Sequence, residues 1–220
     1  MKTIVIAPHP DDEVLGVGGT LRRRKAEGGE IAWLIVTSIS EAMGWSADRV
    51  AARERELNEV ARLFAFDQVY RLGLPAAQLD TVPAAELVGK MSEVFKSFKP
   101  EEVFVPHYGD VHSDHRMVFD AVASCTKWFR YPSVKRVLAY ETLSETDFGL
   151  LPMDAFKPNY FVDITGHLEC KLQAMQIYIS ELGEHPFPRS LEAIKSLAML
   201  RGAMSGYECA EAFELLRERA

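Results

Sequence analysis

Short apolar runs alternate along the chain with longer segments whose apolar residues recur at helical spacing. The run Glu30–Thr37 (EIAWLIVT) is almost continuously apolar, as expected of a strand covered on both faces. Further short, β-rich runs predict additional strands. The predicted strands are Thr3–Ala7, Glu30–Thr37, Asp67–Leu72, Glu102–Pro106, Ser133–Glu141 and Asn159–Ile164.

Helical periodicity dominates the segments between these strands. In Ser46–Phe64, for example, Val50, Leu57 and Val60 are spaced to form one apolar face. The predicted helices are Val14–Glu27, Ser46–Phe64, Pro83–Phe98, Ser113–Phe129, Thr165–Leu182 and Leu191–Arg219, the last broken near Gly206. Because strands and helices alternate, we expect a mostly parallel sheet with helices on both faces. The right-handed crossover rule then favours a single-domain, Rossmann-like α/β fold over residues 1–220.

The composition is that of an ordinary globular protein, with 48% hydrophobic and 26% charged residues. The net charge is −7, and the basic run Arg22–Lys25 stands where a helix should end, so nucleic-acid binding is not expected. No apolar run approaches the roughly 20 residues that span a bilayer, and no signal peptide is evident. The three cysteines lack metal-ligand spacing, which favours reduced thiols. We therefore expect a cytoplasmic protein.

Two segments rich in histidine and aspartate directly follow predicted strands. Pro8–Glu13 (PHPDDE) follows the first strand, and His107–Arg116 (HYGDVHSDHR) follows the fourth. Open α/β sheets bind ligands at the carboxyl ends of their strands. The fold class can therefore bring these distant segments to one rim, where we expect the functional site.

The residue types in these segments fit a metal site. His9 lies between two prolines that restrict its backbone, and Asp12, three residues later, can reach the same ion. His112 and His115 are three residues apart at a helix start and share one face, so His115 can complete the site. Two histidines and one carboxylate with open positions are typical of a catalytic site. This donor set predicts zinc or, equally suited to it, iron(II).

The neighbouring polar residues have expected roles around that ion. Asp11 is expected to act as general base on the attacking water. A protonated His112 would hold the oxyanion or protonate the leaving group. We expect Asp114 to hold a histidine ring through its second nitrogen, and Asp110 to do the same for His112.

Three other functions are compatible with parts of this pattern. Gly16, Gly18 and Gly19 suggest a dinucleotide site, but acids stand where that fingerprint needs its first glycine, so these glycines are expected to allow close helix–sheet packing. A two-metal phosphoesterase would use the spare aspartates as additional ligands. A non-catalytic metal-binding protein would need no base beside its ligands.

The two segments resemble the motifs of the PIG-L/LmbE family of metal-dependent deacetylases. The first family motif, (P/A)HPDDE before a glycine-rich helix start, is matched by Pro8–Glu13, and the second, HxDH, by His112–His115. The resemblance extends to Arg53, to Glu56 and to the turn Leu72–Pro75. Two motifs in the right order make the resemblance specific at the level of the family.

This resemblance is closest over residues 1–141, with residues 142–220 expected to extend the same domain. It implies an enzyme that removes an acyl group, usually acetyl, from the nitrogen of an amino sugar. The residues that it implies are the zinc ligands His9, Asp12 and His115, the general base Asp11, and His112 as the group that stabilises the intermediate.

Substrate-binding residues are less constrained by the sequence. By resemblance, Arg53 contacts the sugar or its carrier. Trp45 either stacks on a sugar or packs, and His107 either lines the site or is structural. Relatives that use an aspartate in the turn after strand three differ from this chain, which has Pro75–Gln78 there, so we expect hydroxyl recognition from elsewhere. The loop Leu143–Pro158 either borders the site or connects two strands.

Overall fold

Seven strands and six α-helices alternate along the chain, all 220 residues of which the computed structural model describes. The strands are β1 (Lys2–Ala7), β2 (Glu30–Ser38), β3 (Gln68–Pro75), β4 (Glu102–Pro106), β5 (Arg136–Tyr140), β6 (Tyr160–Asp163) and β7 (Ala210–Glu218). The helices are α1 (Asp12–Ala26), α2 (Ala47–Phe64), α3 (Ala84–Phe98), α4 (Ser113–Ser124), α5 (Leu168–Ile177) and α6 (Leu191–Ser205). None of these helices combines the length and apolarity that crossing a membrane requires.

The strands form one sheet in the order β3-β2-β1-β4-β5-β7-β6, in which β1 to β5 are parallel. Successive residues of β1 face opposite sides of this sheet. Ile4 and Ile6 pack with α3 and α4, whereas Val5 and Ala7 pack with α1, α2, α5 and α6. The predicted Rossmann-like sheet with helices on both faces is confirmed.

The C-terminal segment corrects one sequence-based prediction. Leu191–Arg219 is not one broken helix, because α6 ends at Gly206 in the left-handed conformation and β7 follows. β7 is antiparallel to both neighbours and fills the place between β5 and β6. Its leucine, alanine and glutamate residues favour a helix locally, but two open strand edges impose the extended conformation.

Several other helix ends lie inside the predicted limits. The fourth helix stops at Ser124 instead of Phe129, and the fifth covers Leu168–Ile177 instead of Thr165–Leu182. By contrast, β3 continues to Pro75, beyond the predicted end at Leu72. Residues 142–220 add two strands to the same sheet and two helices that pack on it.

The glycines of α1 allow this helix to lie directly on the sheet and on α5. A side chain at Gly16 would overlap the ring of Tyr140, and one at Gly19 would meet Ile164 at 2.7 Å. Both neighbours are fully buried, so neither has space to move aside. The packing role expected for these glycines is confirmed, and it brings the first turn of α1 to the edge of the sheet.

A buried ion pair fastens the middle of α1. Lys171 of α5 donates to the Leu15 carbonyl oxygen (2.8 Å) and pairs with Glu211 of β7 (2.7 Å). Glu211 in turn accepts from the backbone N–H groups of Gly19 and Thr20 at 2.8 and 2.7 Å. Because every polar group of this pair has a partner, the pair links α1 to the C-terminal part of the chain without leaving a charge uncompensated.

We expect Gly19→Ala to lower the free energy of unfolding by about 1–3 kcal/mol, because the added methyl group overpacks a rigid contact. Gly89→Ala, in α3 with open space around the added atom, is the matched control and should raise stability by about 0.5–1 kcal/mol. Urea unfolding measures both. Equal effects of the two substitutions would contradict the packing role of Gly19.

Candidate metal centre

The two polar segments predicted to meet do so at the carboxyl edge of the sheet. β1 and β4 are neighbouring parallel strands, so the loops that follow them lie side by side. A cavity of about 290 Å³ opens there, and it contains the side chains of His9, Asp12, His112 and His115. The cavity therefore lies at the edge of the sheet where the rule for open α/β sheets expects a site.

Three of these side chains converge on a common point. The Oδ2 atom of Asp12 lies 3.5 Å from Nδ1 of His9 and 3.4 Å from Nε2 of His115. These separations are long for hydrogen bonds but ordinary for ligand atoms around one cation. Nε2 of His115 is moreover buried with no hydrogen-bond partner. An unpaired nitrogen aimed at a carboxylate and a second imidazole fits a metal site.

Each of the two imidazoles is held from behind by an aspartate. Nδ1 of His115 is 2.7 Å from Asp110, and Nε2 of His9 is 2.9 Å from Asp114. These carboxylates can hold the ring protons on the nitrogens that face away from Asp12, so that the inner nitrogens, which face Asp12, can offer their lone pairs to a cation. Asp114 holds a histidine ring as expected. Asp110 holds His115 and not His112 as expected, because Nδ1 of His112 already accepts a hydrogen bond from the Asp114 N–H.

A second cluster, formed by His9, His112 and Asp114, is less suited to a cation. The Asp114 carboxylate already accepts from the backbone N–H groups of Ala77 (2.7 Å) and Leu79 (3.1 Å), besides its contact with His9. Nδ1 of His112 accepts from the Asp114 N–H at 3.1 Å. Since these acceptors are occupied, the cluster of His9, Asp12 and His115 is the better candidate.

The charges of the cluster reinforce one another. Burial disfavours a charged His9 ring, but the neighbouring Asp114 and Asp12 carboxylates outweigh it and raise the pKa of His9 to about 9. Burial likewise opposes ionisation of Asp12, yet His115 and His9 hold the pKa of this carboxyl well below its usual range. A metal ion must displace ring protons here, so we expect metal affinity to fall as the pH falls.

Asp11 stands beside the cluster in a strained backbone conformation. Its φ of +125° lies in a region that residues with a side chain rarely adopt. Its carbonyl oxygen begins α1 by accepting from Val14 and Leu15, both at 2.9 Å, while its carboxylate lines the cavity. Burial, followed by the charge of Asp12, raises the pKa of Asp11 well above its usual value. Strain of this kind is concentrated at functional sites.

Two residues that hold Asp11 were not singled out from the sequence. Oε2 of Glu13 accepts from the Asp11 N–H at 3.1 Å, and Oε1 of Glu13 accepts from the Tyr178 hydroxyl at 2.7 Å. Both side chains are fully buried. Glu13 belongs to the first motif, so the sequence offered a signal for it. Tyr178 follows α5, and only the packing of α5 beside α1 brings its hydroxyl to Glu13.

His112 caps the start of α4 and faces the cavity. Its ring centroid is 4.4 Å from that of His9. Burial and the neighbouring His9 and His115 rings lower the pKa of His112 to about 4. Because Nδ1 accepts a backbone hydrogen bond, the neutral ring carries its proton on Nε2. The neutral ring can therefore donate a hydrogen bond from Nε2, and the lowered pKa disfavours the protonated ring that the sequence analysis considered.

The three expected substrate-binding residues have different positions. Arg53 lines the cavity, but its guanidinium donates to the Pro10 carbonyl oxygen (3.0 Å) and pairs with Glu56 and Glu181. Trp45 also lines the cavity and is 46% exposed, so its ring is free to contact a ligand.

His107 does not line this cavity, which corrects one expectation. Its Nε2 atom lies 2.7 Å from the Asp154 carbonyl oxygen, and Nδ1 lies 3.3 Å from Glu214. The residue directly follows β4, and its partner Glu214 lies on β7, two strands away in the sheet. His107 is therefore structural, the alternative that its sequence position left open.

An open cluster of two histidines and one carboxylate at the edge of a Rossmann-like sheet, with a free acid beside it, defines a candidate α/β metallohydrolase. The sequence comparison gives the family. Residues 4–126 match the family described as PIG-L: GlcNAc-PI de-N-acetylase, and the chain belongs to this family.

Named relatives extend the similarity over nearly the whole chain. Diacetylchitobiose deacetylase of Thermococcus kodakarensis is 26% identical over 227 aligned positions, which cover 96% of this chain and 81% of that protein. Among solved structures, the conserved protein TT1542 of Thermus thermophilus has a TM-score of 0.79 at 29% identity, covering 99% of this chain and 96% of the other. N,N'-diacetylchitobiose deacetylase of Pyrococcus horikoshii, crystallised with its inhibitor MPG, has a TM-score of 0.77 at 25% identity, with coverages of 98% and 84%.

We expect the purified protein to bind one zinc ion per chain and His115→Ala to lose it, because His115 supplies an inner nitrogen with no other partner. His107→Ala is the matched control, since it removes a buried histidine outside the cavity and should keep the metal. Elemental analysis by mass spectrometry after dialysis measures both. Full zinc content in His115→Ala, or two ions in the wild type, would contradict the ligand set.

We also expect Asp110→Asn to weaken zinc affinity by about 10–100-fold, the usual effect of removing a carboxylate behind a ligand histidine. Asp120→Asn, on the exposed face of α4, should leave the affinity unchanged. Competition with a chromophoric chelator measures both dissociation constants. Equal affinities of the two variants would show that Asp110 does not support the site.

Proposed function

We propose that this protein is a zinc-dependent hydrolase that removes an N-acetyl, or another N-acyl, group from an amino-sugar substrate. The observation that carries the proposal is the unpaired carboxylate of Asp11, a residue with a strained backbone, beside the cluster of His9, Asp12 and His115. A protein that only bound a metal would gain nothing from holding an acid in a costly conformation there. Membership of the PIG-L family and the names of the relatives supply the substrate class.

The chemistry that a bound zinc ion supplies is Lewis acidity, which lowers the pKa of water and polarises a carbonyl group. Iron(II) suits the same two-histidine, one-carboxylate donor set. His9, Asp12 and His115 would hold the ion through their inner nitrogens and Oδ2. The aspartates behind the imidazoles keep these nitrogens oriented.

The protein's own side chains would carry the proton transfers. Asp11 takes a proton from the attacking water as the water oxygen bonds to the acyl carbon. The proton on Nε2 of His112 is donated in a hydrogen bond to the oxyanion that develops on the acyl oxygen. When the C–N bond breaks, the proton held by Asp11 goes to the leaving nitrogen, giving a carboxylic acid and a free amine.

The substrate would enter between the loops after β2 and β5. Trp45, half-exposed at the mouth, offers a flat surface on which a sugar ring can stack. The guanidinium of Arg53 is committed to neighbouring protein groups, so we propose that it supports the loop that carries His9 and Asp11 and presents only an edge to the substrate.

The competing functions lose support from the same contacts. A two-metal phosphoesterase would use the spare aspartates Asp110 and Asp114 as ligands of a second ion, but histidines and backbone N–H groups already occupy both carboxylates. A non-catalytic protein has no use for Asp11. A dinucleotide would need space beside the α1 glycines that Tyr140 and Ile164 fill.

Acetate release from a panel of N-acetylated sugars tests the proposal directly. The panel should contain N-acetylglucosamine, its disaccharide, and nucleotide-, inositol- and thiol-linked forms, each incubated with zinc-loaded and with chelator-treated protein. We expect zinc-dependent acetate release with an equal amount of new primary amine. No release from any member by zinc- or iron-loaded protein would refute the function.

We expect Asp11→Asn to retain zinc and to lower kcat by about 10²–10⁴-fold, the usual contribution of a general base. Asp11→Gly should be similarly inactive but more stable to urea than Asp11→Asn, because glycine adopts the same backbone angles without strain. Kinetics, zinc content and unfolding curves measure the three properties. An Asp11→Asn variant with near-normal kcat would assign the base elsewhere.

A further inference from the structure

The arginines of the cavity are already satisfied by protein groups. Arg49 donates to Glu181 at 3.1 Å, and Arg53 also pairs with Glu181. Arg189 donates to the Ser144 hydroxyl at 2.9 Å, and Arg71 donates to Glu54 at 2.6 Å. These side chains shape the wall, and a ligand must displace existing partners to use them.

Outside the candidate metal centre, two polar side chains that follow β5 and line the cavity lack a close partner. Oγ1 of Thr142 is buried without a hydrogen bond, in a residue that is only 1% exposed. The Glu145 carboxylate is half-buried and makes no ion pair, and its one side-chain hydrogen bond, from the Ser144 hydroxyl, spans 3.5 Å. Burial raises the pKa of Glu145, as expected of a carboxyl group without a cation.

Leaving such groups unpaired is destabilising. A buried hydroxyl without a partner gives up its hydrogen bonds to water and gains none in return, and a half-buried carboxylate without a cation loses part of its hydration without compensation. The fold nevertheless holds both in place, since the Thr142 N–H donates to the Thr146 hydroxyl (2.8 Å) and that hydroxyl donates to Asp110 (2.6 Å). Asp110 is the residue that holds His115, so the β5 loop is fastened to the candidate metal centre.

We propose that Glu145 and Thr142 form the subsite for the amino-sugar ring at the reacting nitrogen, where Glu145 accepts hydrogen bonds from that nitrogen and Thr142 pairs with a ring hydroxyl. This inference rests on the proposed function and makes it more specific. It supplies the hydroxyl recognition that the turn after β3, with Ala76 and Ala77 at the cavity, does not offer.

The reaction itself explains why a carboxylate without a cation would stand here. Hydrolysis breaks the C–N bond of a neutral amide and leaves an amine, which takes up a further proton from solvent to become an ammonium group. A carboxylate at the nitrogen therefore gains its missing cationic partner only after the bond is broken. Charge-assisted hydrogen bonds are about twice as strong as neutral ones. Glu145 should thus bind the amine product much better than a neutral sugar.

The test is calorimetric binding of glucosamine and of glucose, its neutral counterpart, to zinc-loaded wild type and variants at pH 7. We expect Glu145→Gln to raise the Kd for glucosamine about tenfold, equivalent to ~1.4 kcal/mol, and that for glucose less than about twofold. Glu54→Gln is the matched control, because Glu54 is a carboxylate of the same cavity that already has Arg71 as partner. It should leave both constants unchanged.

Thr142 is tested with Thr142→Val and Thr142→Ser. The valine variant should raise the Kd values for glucosamine and glucose by the same factor of about five, since a hydroxyl contact does not depend on the ammonium charge. The serine variant should restore binding. The inhibition constant of glucosamine against acetate release should follow the calorimetric order.

Several results would overturn the inference. These are no binding of glucosamine by the wild type, equal losses of glucose and glucosamine in Glu145→Gln, or loss of zinc from that variant. The binding readout does not depend on turnover. Absence of acetate release with Glu145-dependent glucosamine binding would refute the proposed function alone, whereas normal release with unchanged binding in Glu145→Gln would refute the subsite alone.

Discussion

The pairing of β1 with β4 is the constraint on which the site depends. It places the loops that carry His9 and Asp12 directly beside the start of α4, although His9 and Asp114 are 105 residues apart in the chain. Neither loop has a complete ligand set alone. Because β1 and β4 are parallel, their carboxyl ends lie at the same edge of the sheet, and the loops that follow them begin there.

Rigid partners surround the reactive groups and leave them few alternative conformations. The Asp110 and Asp114 carboxylates fix the imidazoles of His115 and His9, and Glu13 with Tyr178 fixes the backbone of Asp11. α1 is itself pressed on the sheet by its glycines and fastened by a buried ion pair. Stability in the surroundings therefore offsets local strain at Asp11, a distribution typical of catalytic sites.

The sequence indicates the three candidate ligands and the support that Asp114 gives, but not the support from Glu13 and Tyr178. His9, Asp12 and His115 are recognisable because histidine and aspartate at strand ends have few structural reasons to be there. Tyr178 and Glu145 carry no such signal, since each stands in a loop of ordinary composition. The role of His107 was ambiguous because its partner Glu214 belongs to β7, a strand whose residues favour a helix locally.

The sequence by itself determined the parallel α/β architecture, the edge of the sheet at which the two polar segments meet, and the family. These follow from periodicity and from two local motifs, which act over a few residues. Only the tertiary structure decided that β7 is a strand between β5 and β6, which aspartate holds which histidine, and that the β5 loop leaves Glu145 unpaired in the cavity. Those outcomes depend on contacts between distant segments, whose energies no local pattern contains.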